Sequence, residues 1–273
     1  MSFPRLLGVA RIALGSLFIV RTTPLANLLP IPLAHVRGPL FGWPEPGWPM
    51  AWGNLVLPDP LRKLACVVRT AAALLFLFGV RARTAGIVAG GLGLIAMSQD
   101  PFAFIYTLYT LFVGTLVLAM TNATHERAWL PEPRMASRAS VMTVRVFVGS
   151  IYCLSAIAKM QRGWLGGTTL VALSEDGFLE EKVSSLLRAH SALGLGAAWG
   201  SMGAELAIGA TVLLSCASSP RWRISPRALW VAILAALSMH IAFEVVARPD
   251  VIGWIMASLL VACAAPPTDE PSP

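Results

Sequence analysis

The sequence predicts an all-α fold, a polytopic helical bundle held in a membrane. Three observations carry that reading. The 273-residue chain is 56 % hydrophobic and only 13 % charged, about half the charged fraction of a soluble globular domain. Apolar runs recur from Phe3 to Ala265, and several approach the roughly 20 residues a helix needs to cross a bilayer. Most basic residues stand at the ends of these runs, where they report topology and not a basic binding face.

About eight transmembrane helices are expected. They cover Pro4–Val20, Leu61–Val80, Thr84–Met97, Phe102–Met120, Val141–Met160, Ala197–Cys216, Ala228–Val246 and Val251–Ala264. The first is read as a retained helix. Arg11 interrupts it, and Arg21-Thr-Thr-Pro24 follows where a cleavable leader has small residues. The third is short and glycine-rich and the eighth is short, so either suits a partial or tilted span. Between the first and second, Pro39–Trp52 is rich in proline and tryptophan. Proline forbids a continuous helix and tryptophan prefers the headgroup layer, which predicts a loop at one membrane face. In the connection from Gly166 to Ala197, Phe178, Leu179, Val183, Leu186 and Leu187 recur at helical spacing among charged residues. That pattern predicts an amphipathic helix on the same face.

Residues 1–265 are read as a single transmembrane domain and 266–273 as a disordered polar tail. Arg81 and Arg83, then Arg127, Arg134 and Arg138, then Arg221, Arg223 and Arg227 fall in alternate connections. With eight helices they share one side, which predicts cytoplasmic termini in a multi-pass protein of the cell inner membrane.

The net charge of +7 is dispersed, with no run of lysines and no basic-aromatic patch, so no nucleic-acid partner is expected. Cys66, Cys153, Cys216 and Cys263 all lie in apolar segments and form no CxxC pair. They read as buried free thiols, with no metal indicated. Phosphate-binding loops, nucleophile elbows and HExxH metal motifs are absent from the sequence.

Few ionisable groups lie inside the apolar segments: Arg11, Arg69, Arg145, Lys159, Glu205, His240 and Glu244. Each is a functional-site candidate, because charge in hydrocarbon is costly. Lys159 closes the fifth segment in the run Tyr152–Thr168, YCLSAIAKMQRGWLGGT. An ammonium there must snorkel, find a partner or give up its proton. Its spacing from Tyr152 puts both on one helix face, with Ser155 one turn below. The spacing allows two roles, a base in a water-poor pocket or an anchor at a helix end. His240 and Glu244 are four apart and within hydrogen-bond reach of each other. Glu205 sits among small residues in GAELAIGA and needs a cationic or donor partner, with Arg145, Arg69 and Lys159 as candidates.

The pattern Tyr152-x-x-Ser-Ala-x-x-Lys159-x-x-x-x-Trp164-x-x-Gly167 resembles the membrane domain of the vitamin K-dependent gamma-carboxylases. It also resembles their bacterial relatives, the horizontally transferred transmembrane (HTTM) family. Lys159 falls on the lysine held to be the base toward reduced vitamin K, and Ala158 stands where the carboxylases carry a first lysine. Arg145, Glu205 and His240 fall on a family arginine, aspartate and histidine. The resemblance spans roughly residues 5 to 262. The carboxylases' Asn-Asn-His step has no match near Pro101–Tyr106.

The resemblance implies a quinol-dependent oxidoreductase or carboxylase-like enzyme using a reduced naphthoquinone, vitamin K hydroquinone or menaquinol. Lys159, Glu205 and His240 would then be catalytic. Tyr152, Arg145, Ser155 and Trp164 would line the cofactor site. Membrane lipid, lipid quinone and a membrane protein or peptide are the expected partners. The alternative is a non-catalytic partner-binding or transport module that kept the scaffold.

Overall fold

Each of the eight apolar segments folds as a helix, because length and apolar content are local properties that need no partner to be expressed. The computed structural model describes residues 6–22, 58–98, 106–121, 137–175, 179–217, 219, 224–246 and 252–265. The Pro39–Trp52 loop, Phe178, the Pro101–Ile105 stretch and the polar tail 266–273 lie outside the described residues.

Eleven helices are present among those residues, and no strand. They are α1 (Leu6–Thr22), α2 (Asp59–Phe78), α3 (Ala82–Ser98), α4 (Tyr106–Ala119) and α5 (Arg138–Ala158). Then come the short α6 (Arg162–Leu165), α7 (Thr168–Glu175) and α8 (Glu181–Ala189), followed by α9 (Ser191–Leu214), α10 (Pro226–Val246) and α11 (Ile252–Cys263). Three helices, within α5, α9 and α10, are long and apolar enough to cross a membrane. Helices α3, α4 and α11 are apolar but shorter.

The chain divides into two compact units, Met1–Val144 with Asp250–Pro273, and Arg145–Pro249. In the first, α1 packs on α2, α4 and α11, and α3 packs on α2 and α4. Phe18, Phe76, Phe112, Leu14, Leu111 and Leu259 fill its core, with the Phe18 and Phe112 rings 5.3 Å apart. The backbones of α3 and α4 come close at Gly90, where an added Cβ would meet the Phe112 carbonyl at 2.8 Å. Helix α2 stops at Gly79, whose φ of 78° is open to glycine without strain. The guanidinium-bearing residues Arg11, Arg21 and Arg69 are buried in this unit.

The second unit holds most of α5 and all of α6 to α10. Its α5 and α9 meet at two glycines. A Cβ on Gly209 would lie 2.7 Å from the Cys153 sulfur, 2.9 Å from the Cys153 nitrogen and 2.9 Å from the Gly149 carbonyl. The expected amphipathic helix is α8. Leu179 and Leu187 are buried with Val183 and Val246 packed on them, and the Glu180 amide donates to the Val246 carbonyl at 2.9 Å. Leu186 departs from the expected apolar face and is exposed, because the helix turns it away from α10. Helix α9 begins six residues before the expected start at Ala197.

Candidate functional site

The second unit collects six of the seven site residues expected from the sequence around one break in the chain. Helix α5 ends at Ala158, and its last turn closes through the Lys159 amide, to the carbonyls of Ser155 and Ala156 at 3.1 Å, and the Met160 amide, to Ile157 at 2.9 Å. Lys159 is therefore the first side chain past a helix C-terminus, where the dipole favours a cation. Its ammonium donates to Ser155 Oγ at 3.1 Å and forms an ion pair with Glu205 Oε1. The Trp164 ring lies over it, with the ammonium 5.5 Å from the ring centroid, a distance at which the ring quadrupole attracts it.

The depth of this pair matters. Glu205 is fourteen residues from the start of the 24-residue α9 and nine from its end. At 1.5 Å per residue that is about 21 Å and about 14 Å. The Lys159 head thus meets α9 well inside that helix, although Lys159 itself stands just past the end of the 21-residue α5. The side chains of Lys159 and Glu205 are only 17 % and 11 % exposed.

Where the helix breaks, the freed backbone carbonyls need hydrogen-bond donors, and nearby side chains supply some of them. Gln161 Nε2 donates to the Ala158 carbonyl at 2.6 Å. Thr168 Oγ1 donates to the Gly163 carbonyl at 3.1 Å. The Trp199 indole, on α9, donates to the Leu165 carbonyl at 3.2 Å. Gln161, Thr168 and Trp199 were not singled out by sequence. A glutamine two residues past a half-buried lysine is a weak signal, and Trp199 carries none that separates it from an interfacial tryptophan.

Two turns down α5, Tyr152 is buried and its hydroxyl lies 2.7 Å from His240 Nε2 on α10. The two rings are tilted, with centroids 5.9 Å apart. Spacing pointed His240 toward Glu244, yet its Nε2 meets Tyr152 across the bundle. Arg145 is also buried, but it precedes Lys159 by fourteen residues. Along a helix that is about 21 Å, so the structure does not bring it to the lysine. The described cysteines are free, and among the described residues no three His, Cys, Asp or Glu side chains gather as metal ligands would.

Glu205 keeps one oxygen unused. Oε1 takes the lysine, whereas Oε2 is buried and has no hydrogen-bond partner among the described residues. A buried carboxylate oxygen with no donor is unfavourable. A group that brings an O–H or N–H donor would complete its hydrogen bonding. No protein-family model, no curated protein and no solved structure matches this chain.

Proposed function

We propose that the protein is a membrane enzyme of the HTTM and vitamin K-dependent gamma-carboxylase type, acting with a reduced naphthoquinone. The observation that carries the reading is the Lys159–Glu205 pair, set beside the interior of α9 where α5 breaks off. A lone charge at a helix end would serve as an anchor. A cation and a carboxylate held together in apolar surroundings, under an aromatic ring, can move a proton.

In this reading a bound hydroquinone would supply an acidic O–H. Within the pair Lys159 first passes its own proton to Glu205, and the neutral amine so formed takes the hydroquinone proton at Nζ. Glu205 holds the resulting ammonium through Oε1, and Ser155 fixes its direction. Trp164 covers the lysine and excludes water. Tyr152 and His240 hold a second hydrogen bond two turns below, which can orient or relay a proton. The surrounding scaffold is proposed to be eight spans in the cell inner membrane, with both termini cytoplasmic. The Pro39–Trp52 segment and α8 would then share the opposite face.

The test has two arms. Lipid extracted from the protein purified from its native membrane should contain a naphthoquinone. In proteoliposomes under dioxygen, which takes the two electrons and two protons to form hydrogen peroxide, the protein should speed the conversion of 2-methyl-1,4-naphthohydroquinone to the quinone, and Lys159→Ala should abolish that rate. A Lys159→Ala protein that consumes it at the wild-type rate would remove the base and with it the enzyme reading.

A different observation favours the non-catalytic module. Gly196, Gly200 and Gly203 on α9 have no neighbouring atom within 4 Å of an added Cβ, and small residues allow another helix to approach closely. This reading expects Gly200→Leu to abolish co-purification of a membrane partner, with Lys159→Ala leaving it intact.

A further inference from the structure

We infer that Glu205 Oε2 selects the redox state of the ligand, admitting the hydroquinone and disfavouring the quinone. The inference rests on the function proposed above and assigns a specificity-determining atom within that site. Glu205 is 8 % exposed. Its Oε1 is committed to the Lys159 ammonium, and that ammonium also donates to Ser155. Oε2 is left as a buried acceptor with no donor among the described residues.

Chemistry then separates the two redox forms. A hydroquinone carries two hydroxyl donors, and a quinone carries only carbonyl acceptors. Placed at Oε2, a hydroxyl completes the hydrogen bonding of the carboxylate. A carbonyl sets two electron-rich oxygens against each other. A hydrogen bond to a charged group is worth enough to change affinity by about 10-fold to 150-fold. The discrimination is built from an unmet acceptor and needs no difference in shape between the ligands.

The experiment measures binding, not turnover. The purified protein in nanodiscs is titrated under anaerobic conditions with three probes: 2-methyl-1,4-naphthohydroquinone, the corresponding quinone, and the dimethyl ether of the hydroquinone. Quenching of tryptophan fluorescence reports occupancy, with equilibrium dialysis as the second measurement. The expected result is that the hydroquinone binds at least about 10-fold more tightly than both the quinone and the ether. In Glu205→Gln, whose amide removes the charge and adds a donor, both ratios should fall to near one. The ether arm separates donor chemistry from redox state. Equal affinity of all three probes for the wild-type protein overturns the inference and leaves the proposed function standing. Ratios that survive in Glu205→Gln show that another residue makes the selection. If no probe binds the wild-type protein, the proposed function fails and the inference falls with it. The wild-type comparison needs no variant, so a poorly folding Glu205→Gln protein does not remove the test.

Discussion

Lys159 and Glu205 hold their charges as an ion pair largely shielded from solvent, and this predicts how their loss is felt. Removing one partner of a buried pair costs about 3–5 kcal/mol, because the other charge is left unpaired. Both side chains retain some exposure, so the lower end applies. Lys159→Met should lower the melting temperature in detergent by about 6–12 °C, at about 2–4 °C per kcal/mol for a chain of this size. Lys159→Met with Glu205→Leu should recover most of that loss, since well-packed apolar side chains often replace a buried pair at no cost. Additive losses in the double variant would show that the two side chains do not act as a pair. At Tyr152 the change is smaller. Tyr152→Phe keeps the ring and loses the bond to His240, at about 1 kcal/mol. In a His240→Ala background the same substitution should cost close to nothing, which a melting-temperature cycle reads directly.

Helix α5 reaches its partners because Gly149 and Gly209 let it lie against α9. A methyl on Gly209 would strike Cys153 nitrogen and the Gly149 carbonyl as well as the Cys153 sulfur. Two of those three atoms are backbone and cannot turn aside. Gly209→Ala should therefore destabilise by about 1–3 kcal/mol, and Cys153→Ala should not rescue it. Gly200→Ala, on an open face of the same helix, should be neutral or stabilising by up to about 1 kcal/mol from helix propensity. Thermal unfolding of Gly209→Ala, of Gly209→Ala with Cys153→Ala, and of Gly200→Ala checks both statements, and rescue by Cys153→Ala would mean that only the sulfur was in the way. The same contact explains what could be read in advance. Apolar length and punctuation are local, so the eight helices were legible within a few residues. The choice of Tyr152 over Glu244 as the partner of His240 Nε2 was not, because it depends on how three helices lie together. The two short helices after Lys159, α6 and α7, were missed for a related reason. Side chains of Thr168 and Trp199 meet the α6 carbonyls of Gly163 and Leu165, and Gln161 meets the Ala158 carbonyl that ends α5, so no long apolar run marks the segment.

For the whole molecule the open quantity is the number of crossings, and it follows from length and charge. Three helices have the length and apolar content to span. Helices α3, α4 and α11 have 17, 14 and 12 residues, or roughly 26, 21 and 18 Å at 1.5 Å per residue, against a hydrocarbon core of roughly 30 Å. Such helices cross where the bilayer thins or where flanking residues extend the apolar length. Helix α2 has the length at 20 residues but carries Arg62, Lys63 and Arg69. An even count puts both termini on one side. The arginines Arg81 and Arg83, between α2 and α3, then lie on that same side, as the positive-inside rule requires of a cytoplasmic loop. An odd count separates the termini. Fusions to green fluorescent protein and to alkaline phosphatase therefore decide it, placed after Pro273, after Arg83 and after Glu175. Eight spans predict fluorescence without phosphatase activity at the first two sites and the reverse at Glu175. Phosphatase activity after Pro273 with fluorescence after Arg83 would leave an odd number of crossings between them. It would also withdraw at least one of the shorter helices from the membrane.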